Sequence, residues 1–116
     1  MEHLEGNVPM SAPGTRPRRL LGMAVVHGRS MLPTLREGDR LLVLHGGRPR
    51  PGRPVVVRLS EGVVAVKRAV RRDPDGWWVE ADNAAEGVDS RTVGAIPDDR
   101  VVARVLGRLW PRPGRA

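Results

Sequence analysis

Val55-Val56-Val57-Arg58-Leu59, then Ser60-Glu61-Gly62, then Val63-Val64-Ala65-Val66-Lys67-Arg68-Ala69-Val70 reads as two apolar strands joined by a short polar turn. Valine at this density favours a pleated ladder over a helix, and the turn residues between the runs predict a hairpin. Side chains alternate across a strand, so Val63, Ala65, Lys67 and Ala69 share one face and Val64, Val66, Arg68 and Val70 the other. The amine at position 67 therefore keeps company with small apolar groups.

Working outward, Leu20 to Val26 and Arg40 to Leu44 are expected strands, separated by a segment that Pro33 keeps from becoming a long regular element. His45 to Pro54, crowded with Gly and Pro, is an expected loop, and Asp73-Pro74-Asp75-Gly76 a turn into a strand over Trp77 to Ala81. Asp82 to Ala95 reads as irregular, and Val101 to Leu109 as a closing strand. The expectation is an all-β fold, one compact domain of bent antiparallel strands over residues 19–112. Residues 1–18 mix Gly, Pro, Ser and charge without period and are expected to be a flexible leader, with 113–116 a solvated tail. Trp77 and Trp78 are adjacent, so they face opposite sides of their strand.

At 116 residues the chain supports a single core. Seventeen valines, three Trp and no Phe or Tyr describe a β-rich interior of modest side chains. Cysteine is absent, which excludes disulfides and thiolate metal sites, and His3, His27 and His45 make no metal-binding pattern. No metal or cofactor is expected. No apolar run approaches the roughly 20 residues of a spanning helix, and no signal peptide precedes the first strand; a cytoplasmic location without a membrane anchor is the expectation. The net charge of +7 raises nucleic acid as a partner. Interspersed Asp and Glu and the lack of interleaved aromatics argue against that as the main role.

Of the twenty basic residues, nineteen are arginine and one is Lys67. Arginine does not give up its proton in a protein, whereas a buried lysine can act as a base. An unperturbed lysine, with a pKa near 10.4, is neutral only about once in 2,500 at pH 7. Burial disfavours the charged form and raises that fraction. Upstream, Gly28-Arg29-Ser30-Met31-Leu32-Pro33-Thr34-Leu35 offers a hydroxyl for such a base to activate. Backbone N–H groups at Ser30 and near Gly28 are the candidate oxyanion donors. Gly28 would let substrate backbone approach, and Pro33 would stiffen the turn.

These segments, in order, resemble the type I signal peptidase family of serine peptidases over about Val26 to Pro97. Gly28-x-Ser30-Met31-x-Pro33-Thr34-Leu35 is similar to the family's nucleophile box, and Gly38-Asp39-Arg40-Leu41-Leu42-Val43 to the box after it. Val55-Val56-Val57 with Val66-Lys67-Arg68 resembles the strand pair that delivers the general base. Asp82-Asn83, Asp89-Ser90-Arg91 and Gly94 resemble the closing motif. The resemblance implies a signal-peptidase/LexA-like β core, Ser30 as nucleophile and Lys67 as general base. It also implies Asp89 with Arg91 or Arg68 as a supporting ion pair. An extended substrate would lie alongside a strand, with Met31, Pro33, Val64 and Ala65 lining its path. Ala81 stands where the motif usually has Gly, and Gly87 where many members carry a hydroxyl that orients the lysine; Ser90 or a water is the expected substitute.

The short, arginine-rich chain, with Val105-Leu106-Gly107-Arg108-Leu109-Trp110-Pro111-Arg112 near its end, is most similar to the maturation proteases of nickel-type superoxide dismutase. That similarity implies a precursor protein as partner and removal of its N-terminal propeptide. Two other readings stand beside it. One is a LexA-like self-cleaving protein cut at Ala84-Ala85 or Leu21-Gly22; the other is a non-enzymatic basic β-domain binding nucleic acid or a protein.

Overall fold

The computed structural model describes residues 4–5, 19–60 and 63–116. Seven strands form one antiparallel sheet: β1 Leu4–Glu5, β2 Leu20–Val25, β3 Arg40–His45, β4 Pro54–Ser60, β5 Val63–Asp73, β6 Gly76–Glu80 and β7 Val101–Trp110. Their order across the sheet is β1-β2-β3-β7-β4-β5-β6. A four-residue helix, α1 (Ser90–Val93), and a 3-10 turn at Asp98–Arg100 complete the elements of the described residues. The all-β expectation holds, and each expected strand is present.

The valine hairpin explains the centre of the sheet. Pro54, Val55, Val56 and Val57 are all buried, because β4 lies between β5 and β7 and is covered on both faces. Alternation divides the strand between two cores. Val56 joins Val66, Ala103, Val105, Leu41 and Met31 on one face, while Val55 and Val57 join Ala69, Val79 and Ile96 on the other. Each buried valine contributes about 1.5–3 kcal/mol over an exposed one. Lys67 stands directly opposite Val55 in the β4–β5 ladder, on the face of the second core.

The structure corrects several expectations at the edges. β5 does not stop at Val70: a bulge between Ala69 and Arg71 realigns the ladder, and pairing continues to Asp73 opposite Gly76. Within the expected leader, Leu4–Glu5 pairs with Met23–Ala24; residues 1–3 and 6–18 lie outside the described residues, as do Glu61 and Gly62 of the expected hairpin turn. Residues 113–115 of the expected solvated tail are exposed, but Gly114 bridges Arg108 and Ala116 is buried in the first core. Trp77 and Trp78 are both half-buried. Trp77 packs against the second core; the Trp78 indole donates to Glu80 and its ring lies under Arg71. Among the described residues, no helix is long and apolar enough to cross a membrane.

Candidate active site

Ser30 follows β2 on a helical turn closed by Leu35 N–H donating to Met31 C=O at 2.9 Å. Met31 and Leu35 anchor this turn in the first core, which leaves Ser30 half-buried on its other side. Met31 was expected to line the substrate path; at 1 % exposure its side chain is core instead. Pro33 is exposed. Gly28, Arg29, Leu32, Pro33, Arg36 and Glu37 line an open depression of about 570 Å³ beside the serine.

Lys67 is 2 % exposed and among the largest fully buried side chains. Burial lowers its pKa, and the carboxylate of Asp89 acts in the opposite sense without reversing the shift. The amine and the hydroxyl converge on one point. A Cβ placed on Gly87 would lie 2.9 Å from Ser30 Cβ, 3.0 Å from Lys67 Nζ and 3.7 Å from Ser30 Oγ. The loop between β6 and α1 thus passes against both residues, and the absence of a side chain at 87 is what lets it. Its φ of +81° also favours glycine.

The closing motif supplies the frame. Asn83 N–H donates to Ser30 C=O at 2.9 Å, and Asn83 Nδ2 donates to Arg29 C=O at 3.2 Å. Asn83 therefore holds both carbonyls beside the serine, a role that sequence reasoning missed; Asp82-Asn83 stood in the motif, but nothing local linked it to Ser30. Asp89 caps α1 through Arg91 N–H at 3.0 Å, accepts from Ala81 N–H at 2.8 Å, and pairs with the Arg91 guanidinium at 2.7 Å. Burial pushes its pKa up, but the bonds from Arg91 and Ala81 outweigh this and hold it below the usual carboxylate range.

Three expected roles change. Arg68 does not support Asp89: it grips Asp82 with two bonds of 2.8 and 2.7 Å and donates to Gly52 C=O. Adjacent positions on a strand face opposite ways, so Arg68 leaves Lys67 and Asp89 behind. Ser90 is buried, and its hydroxyl accepts from Val79 N–H at 2.8 Å, which ties α1 to β6. The Gly28 N–H, a candidate oxyanion donor, is bonded to Glu37 Oε1 at 3.3 Å. A φ of +82° at Gly28 favours glycine.

The open edge of the sheet lies next to the amine. β5 pairs with β4 from Val63 to Arg68, but with β6 only from Arg68 onward. Val63 to Lys67 thus present a backbone edge with no described strand beside it, and Val64 and Ala65 are half-buried there. The outer edge of β6 is closed instead, because Trp77, Val79 and Ala81 donate to Ile96 C=O, Ser90 Oγ and Asp89 Oδ2. Leu21-Gly22 sits inside the β2–β3 ladder, whereas Ala84 and Ala85 are exposed.

This β core holds Ser30 and the buried Lys67 against one loop, beside a strand edge with no neighbour among the described residues. A family model described as Peptidase S24-like matches residues 1–109, and the chain belongs to that family. It is a serine peptidase of the signal peptidase/LexA type. The chain is similar to the mitochondrial ATP-independent inner membrane protease subunit 1a of Arabidopsis thaliana, 26 % identical over 81 % of this chain and 73 % of the relative. It is also similar to the mitochondrial inner membrane protease subunit 1 of Schizosaccharomyces pombe, 42 % identical over 36 residues. That match covers 31 % of this chain and spans only 23 % of the yeast protein.

Proposed function

We propose that the protein is an endopeptidase that uses a Ser30/Lys67 dyad to cut one peptide bond in a precursor protein. The reading rests above all on the approach of Ser30 and Lys67 Nζ to the same point of Gly87. Neutral Lys67 takes the Ser30 proton as Oγ attacks the scissile carbonyl carbon. The resulting ammonium gives that proton to the departing amine, leaving an acyl ester on Ser30. Lys67 then accepts a proton from the attacking water and returns it to Ser30 as the acid product leaves. The Ser30 N–H is the proposed oxyanion donor, since that of Gly28 is engaged by Glu37.

The substrate is proposed to add as a strand along Val63 to Val66, with Val64 and Ala65 beneath it. The proposed precursor is nickel-type superoxide dismutase with its N-terminal propeptide, on the similarity of the 105–112 segment. Incubation with that precursor, read by intact mass, tests the assignment. Wild type should release one N-terminal fragment, while Ser30→Ala, Lys67→Ala and Lys67→Arg should release none. Undiminished cleavage by any of the three would end the dyad, and an uncut precursor would end the substrate assignment.

A further inference from the structure

Among the described residues, five arginines pair with aspartates. Arg19, Arg50, Arg53 and Arg104 do not: among the described residues none has an ion-pair partner. They are nonetheless close together. The Arg104 guanidinium is held below its ordinary pKa by burial and then by repulsion from Arg50, Arg19 and Arg53. Arg53 Nε is buried with no hydrogen-bond partner among the described residues, and a buried donor in that state lacks an acceptor that a ligand oxygen would supply. Four unpaired cations in one place cost stability unless something anionic visits them.

The location ties the cluster to the peptidase site. Arg104 stands opposite Val55 and Val55 opposite Lys67, so the three form one row across neighbouring strands. With strands 4.7–4.9 Å apart, Arg104 Cα lies about 10 Å from Lys67 Cα. The β3–β4 loop that carries Arg50 and Arg53 also passes over Arg104, where a Cβ on Gly47 would lie 3.3 Å from Arg104 Cβ. Beside it opens a cavity of about 930 Å³, lined by Gly46 to Pro49, Trp77, Val101 and the Arg72–Asp98 ion pair, in which the Asp98 carboxylate is already neutralised.

We infer that this arginine cluster and the adjoining cavity form a docking site for an acidic segment of the substrate polypeptide, away from the scissile bond. The inference rests on the peptidase reading above. Carboxylates match the cluster's charge, and the cavity takes the apolar side chains between them. A single nucleic-acid strand fits less well, because base stacking needs open rings beside the cations, and Trp77, the ring in the cavity, is half-buried against the second core. The rings that contact arginine, Trp78 and Trp110, lie on Arg71 and Arg40, outside the cluster.

The test is binding, so it does not depend on catalysis. A fluorescein-labelled peptide of about ten residues, alternating Glu with Leu, is titrated into the full chain carrying Ser30→Ala, and anisotropy is read. Arg19 and Arg50 are exposed, so Arg19→Glu with Arg50→Glu should keep the wild-type Tm while weakening binding at least about tenfold. Arg112→Glu, an exposed change elsewhere, should leave affinity unchanged. Absence of binding, or equal binding by the double variant, overturns the inference. So does tighter binding of a labelled oligothymidine or of phosphatidylglycerol vesicles that the double variant abolishes, because the cluster then serves nucleic acid or lipid. Precursor cleavage with no acidic-peptide binding would remove the docking site and leave the dyad standing.

Discussion

Gly87→Ala puts one carbon between the two reacting groups. The added Cβ would lie 2.9 Å from Ser30 Cβ and 3.0 Å from Lys67 Nζ. Carbon atoms rest about 3.5–4.0 Å apart, so something must yield by about 0.6–1 Å. The amine ends a flexible chain and can swing aside. Ser30 Cβ moves only with its backbone, whose carbonyl is held by Asn83 N–H at 2.9 Å. Displacing a reacting group by about 1 Å costs about 10²-fold in rate. The left-handed backbone adds about 1–2 kcal/mol against alanine, or about 4–8 °C in Tm for a domain of this size. Precursor cleavage followed by mass spectrometry should therefore show kcat/KM about 100-fold down, while calorimetry shows a folded protein with only that loss of Tm. An alanine variant with the wild-type rate and the lowered Tm would refute the placement of the pair against this loop.

Lys67→Met replaces the buried amine with an apolar chain of similar volume, and should abolish cleavage while holding or raising stability. The same pair of proteins reports the linkage between protonation and folding. Burial lowers the native pKa of Lys67, so between that value and the ordinary 10.4 the unfolded chain binds more protons. The wild type should therefore gain stability relative to Lys67→Met as pH rises through this window, measured by urea midpoints; a constant difference would count against a desolvated amine. Asp82→Asn breaks the two-bond grip on Arg68, whose partners are 25 % and 15 % exposed, and should cost about 1–3 kcal/mol. Burial pushes the Asp82 pKa up, but the bonds from Arg68 and Thr34 hold it low. An Asp82→Asn protein as stable as wild type would show that this pair contributes nothing.

The strands were legible because their signals are local. Valine runs, Gly and Pro punctuation and the Asp73–Gly76 turn each act within a few residues. Lys67 stood out by chemistry, as the one amine among arginines. What stayed hidden depends on contacts between distant segments. The Asn83 bond to Arg29 spans 54 positions, and Arg68 reaches Asp82 over 14, so no periodicity announces either. The bulge after Ala69 carries β5 past its apolar run, which ends at Val70, through Arg71 and Arg72 to Asp73, the first residue of the expected turn. The family resemblance places Met31 along the substrate path; the helical turn instead points it into the core. Gly28 reads as a site of close approach for substrate; its φ of +82° is a second reason for glycine that the sequence does not show.

Lys67 is the only lysine in the chain, so a protein labelled with ¹⁵N-lysine gives a single side-chain ammonium signal. Titrating that signal by NMR in the folded protein measures the proton affinity on which the whole account turns. A midpoint clearly below 10.4 is the expected result. A midpoint at or above that value would mean the amine stays charged beside Ser30, and it could not serve as the base.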